Sequence, residues 1–164
     1  MTENGLITVA SAHDVATTIE RLISTLESKR VAVFARIDHA AEVGPFERPL
    51  RPTTTVLFGN PAAGMPLMRI AQTTALDLPL RMLIWEDAKG TIQLSYSDPS
   101  WVAKRHHVGS QGLQSIRALS AAMSSLAKQV TAANPKPVVL PDALVPKVNE
   151  AWVADVVREP VPAQ

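Results

Sequence analysis

Six polar side chains in this sequence have the chemistry to hold or act on a small molecule: Asp38, His39, Asn60, Asp77, Tyr96 and His106. A carboxylate beside an imidazole can tune it into a base near neutral pH. His39 with Asp38 or Asp77 therefore fits a general base and its orienting acid. Asn60, Tyr96 and His106 add an amide, a phenol and a second imidazole, groups suited to hydrogen-bonding a ligand. Each also has a plainer reading. Asn60, in Gly59-Asn60-Pro61, is a turn residue tolerant of left-handed φ; Asp77 is a turn or cap acceptor; Tyr96 is an amphipathic sheet residue. His106 lies in the basic run Lys104-Arg105-His106-His107, which suits a helix end. Adjacent strand residues face opposite ways, so Asp38 and His39 share a target only where the chain turns.

Other chemistries are excluded by composition. The chain has no cysteine, so disulfides, thiolate catalysis and cysteine-bound metal centres are out. His39, His106 and His107 offer metal donors alongside Asp38 or Asp77. None has the i, i+4 ligand spacing, and adjacent histidines diverge on a helix, so no metal site is expected. Gly59 and Gly64 stand apart without a phosphate-loop or dinucleotide glycine set, and no cofactor is implied. A net charge of +1 leaves no electrostatic footprint for nucleic acid or an anionic membrane. No apolar run approaches a membrane span and MTENGLITVA lacks signal-peptide character, so a cytoplasmic address is expected.

The elements that must position these residues follow from periodicity. Residues 6–10 are a short apolar strand, and Ser11 is placed to cap a helix running to about residue 29, with Asp14 favouring its positive end. Its buried stripe is Val15, Ile19, Leu22, Ile23 and Leu26. His13, in the first turn, reads as a solvated neighbour of the cap. Residues 31–37 are β-branched and aromatic enough for a second strand. A stiff, proline-bearing loop over 40–52 leads to a third strand at 53–58. Pro61 sets the entry of a helix ending near residue 74, with Pro66 in its first turn and Met65 and Met68 filling gaps in the core. Asp77-Leu78-Pro79 turns the chain into a fourth strand, 80–86. Asp87–Gly90 is a hairpin turn, and 91–96 is a fifth strand with one wet face. Asp98 caps, and Pro99 opens, a short helix to 107. Ile116, Leu119, Met123, Leu126 and Val130 make the seam of a last helix over 113–133.

This order, β-α-β-β-α-β-β-α-α, predicts an α+β fold: a mainly antiparallel sheet of about five strands with helices packed on one face. A ferredoxin-like core is the nearest generic pattern. The domain is expected over 1–134. Residues 135–164 hold six of the thirteen prolines and read as a Pro-rich, apolar-studded arm. A second subunit or that arm would cover the free face of the sheet.

Phe58-Gly59-Asn60-Pro61, then LDLPLRMLIWED over 76–87, together with Asp38-His39 and the strand-ending Tyr96, resemble family 302 of the domains of unknown function. The likeness runs from about residue 6 to 130. It implies a small bacterial α+β protein, often homodimeric, and assigns no activity.

Three functional readings follow. The first is a cytoplasmic homodimeric domain binding a small ligand or partner near the strand ends, with Asn60, Tyr96 and His106 lining the site. The second is an acid–base enzyme using His39 with Asp38 or Asp77 on a small substrate. The third is a purely structural dimerisation or interaction module. All three rest on the junctions near 39, 60 and 77 meeting in space.

Overall fold

The structure, a computed structural model, describes residues 4–42 and 50–133. Within it β1 (Leu6–Ala10) leads to α1 (Val15–Ser28), which starts where the Asp14 carboxylate accepts the Thr17 amide. That cap satisfies one of the orphan donors of the first turn and is worth about 1 kcal/mol. Ile19, Leu22 and Leu26 are fully buried, with Val15 and Ile23 packed beside them, so the expected stripe faces the core. α1 ends with Arg30 at φ 55, its amide on the Glu27 carbonyl and the Val31 amide on that of Leu26. These are the two bonds of a Schellman cap, with arginine where glycine is usual.

β2 (Ala32–Asp38) runs into a four-residue helix, α2 (His39–Glu42), and β3 (Thr53–Gly59) into α3 (Pro61–Ile70). Asn60 is the N-cap of α3: its φ is −123, and its Oδ1 accepts the Ala62 amide. It is extended, not left-handed. The helix stops at Ile70, and residues to Asp77 form a 3-10 segment (Gln72–Asp77) before the cis Leu78–Pro79 bond and β4 (Leu80–Glu86). The expected single helix to residue 74 is therefore broken at Ala71. Pro66 sits in the middle of α3, not its first turn. Met65 is exposed, while Met68 is half-buried.

β5 (Ile92–Ser97) follows the hairpin, where Asp87 Oδ1 accepts the Lys89 and Thr91 amides. Asp98 caps α4 (Pro99–Arg105), and α5 (Leu113–Thr131) closes the described chain. His13 is not merely solvated. Its Nε2 lies 3.0 Å from the Ala132 carbonyl, and Arg21 donates to the Val130 and Gln129 carbonyls, so α1 caps the C-terminal end of α5.

The five strands form one sheet in the order β1-β5-β4-β3-β2, with antiparallel neighbours throughout. A ferredoxin-like sheet would insert one strand between the first two; here three intervene, and β1 and β2 are the opposite edges. Val56, Phe58, Met82, Ile84, Leu94 and Tyr96 form the core with α1 and α5 on one face. The seam of α5 is as expected, with Met123, Leu126 and Val130 buried. The other face carries Leu57, Leu83 and Trp85, half-buried, with no helix over them among the described residues. Residues 135–164, expected as an arm, lie outside the described residues, as does most of the proline-bearing loop.

Candidate functional site

Register decides which of the candidate residues can meet. Thr53 pairs with Trp85 at one end of β3, and Phe58 with Leu80 at the other. Asp38 pairs with Thr54, so Asp38 and His39 belong to the first end, while Asn60 and Asp77 belong to the second. Five residue steps along β3 separate Thr53 from Phe58 by about 17 Å. The expected convergence of positions 39, 60 and 77 does not occur.

Asp38 turns inward on its own bend: Oδ1 accepts the Ala40 and Ala41 amides and so opens α2. The His39 ring lies 3.0 Å from Thr55 Oγ1 on the uncovered face of the sheet, and no carboxylate partners it among the described residues. Asp77 does pair with a histidine, but with His106. Asp77 Oδ2 is 2.6 Å from His106 Nε2, and Arg105 reaches both carboxylate oxygens at 3.2 Å. His106 Nδ1 lies 3.0 Å from Thr73 Oγ1, so one buried imidazole ties both ends of the 3-10 segment to the end of α4. The guanidinium of Arg105 also lies 5.8 Å from the Trp101 ring centroid.

Tyr96 is 4% exposed inside the main core. Burial pushes its phenol above the ordinary value, offset in part by a hydrogen bond to Ser124, with the Asp98 charge adding to the rise. It joins neither the His106 cluster nor Asn60.

At the Asn60 end lies a cavity of about 400 Å³. Its roof is α3, through Ala63, Gly64, Leu67 and Met68. Its floor is Phe58 and Gly59 of β3 with Leu78 and Pro79, and its back wall is Leu119, Met123 and Leu126 of α5. A bulge in β2 between Val33 and Ala35 leaves Phe34, 47% exposed, at the cavity edge near Gly59. A Cβ on Gly59 would meet that ring at 3.6 Å and Pro79 at 3.8 Å. Asn60 contributes the one polar side chain among the lining residues. Its Oδ1 is committed to the cap; among the described residues its Nδ2 has no partner.

A second cavity of about 30 Å³ adjoins the first through Leu67, Leu78, Leu80, Leu119 and Met123, and Asp77 and Thr74 line it. Thr74 Oγ1 is buried without a hydrogen-bond partner among the described residues. No group of three His, Asp or Glu side chains capable of holding a metal gathers among the described residues.

Of the six expected residues, then, the structure puts Asn60 on the large cavity and joins Asp77, which lines the small adjoining one, to His106. Asp38, His39 and Tyr96 lie elsewhere. The apolar lining of the cavity was absent from the sequence expectation. Its only sequence signal is the small-residue run Ala62-Ala63-Gly64, which gives α3 too little side chain to fill the space beneath it.

This chain belongs to the family described as Domain of unknown function DUF302, whose family model matches residues 7–133. A structure with the same fold is that of an uncharacterized conserved DUF302 protein from Bacillus stearothermophilus. It has a TM-score of 0.66 at 14% identity and covers 75% of this chain and 95% of that one. Over 126 residues the chain is 40% identical to a protein of Brucella suis biovar 1 (strain 1330) named Fluoride-specific ion channel FluC 1, covering 77% of this chain and 50% of the relative. Fluoride-specific ion channel FluC 2 of Brucella melitensis biotype 1 (strain ATCC 23456 / CCUG 17765 / NCTC 10094 / 16M) matches at the same identity over 47% of its length. The chain thus spans about half the length of these relatives. No helix among the described residues is long and apolar enough to cross a membrane.

Proposed function

We propose that this chain is a cytoplasmic, homodimeric ligand-binding domain whose site is the apolar cavity at the β3–α3 junction. The observation that carries this reading is a space of about 400 Å³ walled by carbon and bordered, among the described residues, by a single polar side chain, Asn60. That volume and lining match small-molecule sites, which are mostly apolar with a few placed polar groups. The homodimer is supported by the bare sheet face, where Leu57, Leu83 and Trp85 lie beside the bonded set Thr8, Ser95 and Trp85. Light scattering on the full chain tests it; a monomeric mass removes the dimer. The channel name of the Brucella relatives is not carried over, because the match spans only about half of their length.

Titration with diphenylhexatriene, a hydrocarbon dye, tests the cavity itself. Saturable binding should appear with the wild type and be lost in Ala63→Phe, which places a ring in the space, with circular dichroism confirming that the variant folds. Absence of binding, or equal binding by a folded Ala63→Phe, overturns the site.

A further inference from the structure

The cavity's chemistry narrows the ligand beyond "apolar", on the reading that it is a binding site at all. Among the described residues that line it, none has a charged side chain. An ionised carboxylate or ammonium drawn inside would lose its hydration without a partner. A cavity of about 150 Å³ holds benzene, so about 400 Å³ has room for a chain of roughly ten to fifteen carbons.

The rim supplies one directional group. Asn60 must keep Oδ1 on the Ala62 amide to cap α3, which leaves its two Nδ2 hydrogens as donors without an acceptor among the described residues. The cap engages Oδ1, and the larger unmet capacity is the pair of Nδ2 hydrogens, which a ligand acceptor would meet. A carbonyl oxygen fits, and an ammonium group, which can only donate, does not. The walls agree. Gly64 holds α3 close over Leu78, whose Cδ1 would lie 3.1 Å from any added Cβ, and Met68 is an unbranched side chain able to follow a flexible guest.

We propose that the cavity binds an uncharged, carbonyl-headed hydrocarbon chain, such as an acyl ester, acyl amide or ketone, with the carbonyl on Asn60 Nδ2 and the chain running inward toward Leu126. Methyl decanoate, decanoate and decylamine have the same chain and differ in head. Displacement of bound diphenylhexatriene from the full chain should need at least tenfold less ester than carboxylate or amine. Asn60→Asp retains the cap oxygen and removes the donor. It should weaken the ester about tenfold or more, as loss of a hydrogen bond plus a new charge requires, while dye binding stays within about twofold, since the hydrocarbon dye has no polar atom to meet Asn60.

If the dye binds but the three heads compete equally, or Asn60→Asp leaves the ester unchanged, the head assignment is overturned and the cavity reading stands. If neither dye nor ester binds the wild type, both fail. Asn60→Gly, which an N-cap position tolerates and which has no side-chain donor, guards against a folding artefact: it should weaken the ester without introducing a charge, and an ester affinity equal to wild type would sink the proposed contact.

Discussion

His106 and Asp77, twenty-nine residues apart, meet at 2.6 Å between Nε2 and Oδ2, and this contact holds the end of the 3-10 segment beside the large cavity. That segment and the residue after it contribute Ala75 and Leu78 to the lining. Because His106 is buried and bonded at both ring nitrogens, His106→Ala forfeits two hydrogen bonds, one of them to a carboxylate. Its expected cost is about 1–3 kcal/mol. Arg105 is half exposed on the same carboxylate, so Arg105→Ala should cost no more than about 1 kcal/mol. Urea denaturation orders the two. In His106→Ala the Leu78 amide, bonded to the Ala75 carbonyl, should also exchange faster with solvent. Equal costs for the two variants would mean the imidazole is not the principal tie.

Two helix ends carry a conformational cost that can be relieved. Arg30 and His107 hold φ of 55 and 54, the left-handed region where a Cβ crowds the following carbonyl. Both are exposed, and both occupy the position after the cap of a Schellman pair. At α4 the His107 amide reaches Lys104 and the Val108 amide reaches Ala103. Arg30→Gly and His107→Gly should each stabilise by about 0.5–1 kcal/mol. A thermal melt should rise by a few degrees for each, and roughly add in the double variant, since the sites lie on different helices. A fall in either would show that the side chain makes a compensating contact.

Titration should act on stability from both sides. Asp14 and Asp87 hold their protons less tightly than an ordinary carboxyl. For Asp14 the backbone and side-chain bonds from Thr17 are responsible; for Asp87 they are the bonds from Gln93, Thr91 and Lys89. Their folded values lie below the usual 3.8. Their contribution is therefore complete above that pH and is lost as pH falls through the lowered values. Tyr96 is the reverse case. Its folded value lies above 10.0, so stability holds below that pH and declines as pH rises toward the folded value, while only the unfolded phenol ionises. Asp87→Asn should flatten the acid limb of a melting-temperature profile, and Tyr96→Phe the alkaline limb. An alkaline limb unchanged by Tyr96→Phe would assign it to other groups.

The sequence signalled what is local. Asp98 before Pro99 marked the start of α4, and the three-four spacing from Ile116 to Val130 marked the buried face of α5, because caps and stripes are written in adjacent residues. Strand order was not so written. It depends on three strands entering between β1 and β2, which no periodicity encodes. The same order sends Asp38 and His39 to the opposite end of the sheet from Asn60, so residues that look alike as strand-end polars do not share a site. The ends of α1 and α4 fall within two residues of where the sequence put them, although Arg30 and His107 stand where glycine usually announces such an end. The cavity hid best: it is made by what Ala63 and Gly64 lack, and absence of side chain reads in a sequence as ordinary helix.

One close approach should be as unforgiving as any core position. Gly5 stands at φ 68 against the face of Trp101, and a Cβ there would fall 2.3 Å from the indole Cγ and Cδ2. The carbonyl of Gly5 also accepts the Asp98 amide, which ties β1 to the start of α4. Alanine at this position must therefore strain its φ, move an indole that stacks near Arg105, or break the tie. Gly5→Ala should cost about 2–3 kcal/mol. Trp101→Leu empties the contact and loses packing of its own, so it too destabilises; but in that background Gly5→Ala should cost only the strain of its φ, about 1 kcal/mol. The double-mutant cycle in urea measures the difference as a coupling of about 1–2 kcal/mol. A coupling near zero would mean that the steric contact between Gly5 and Trp101 does not determine the cost.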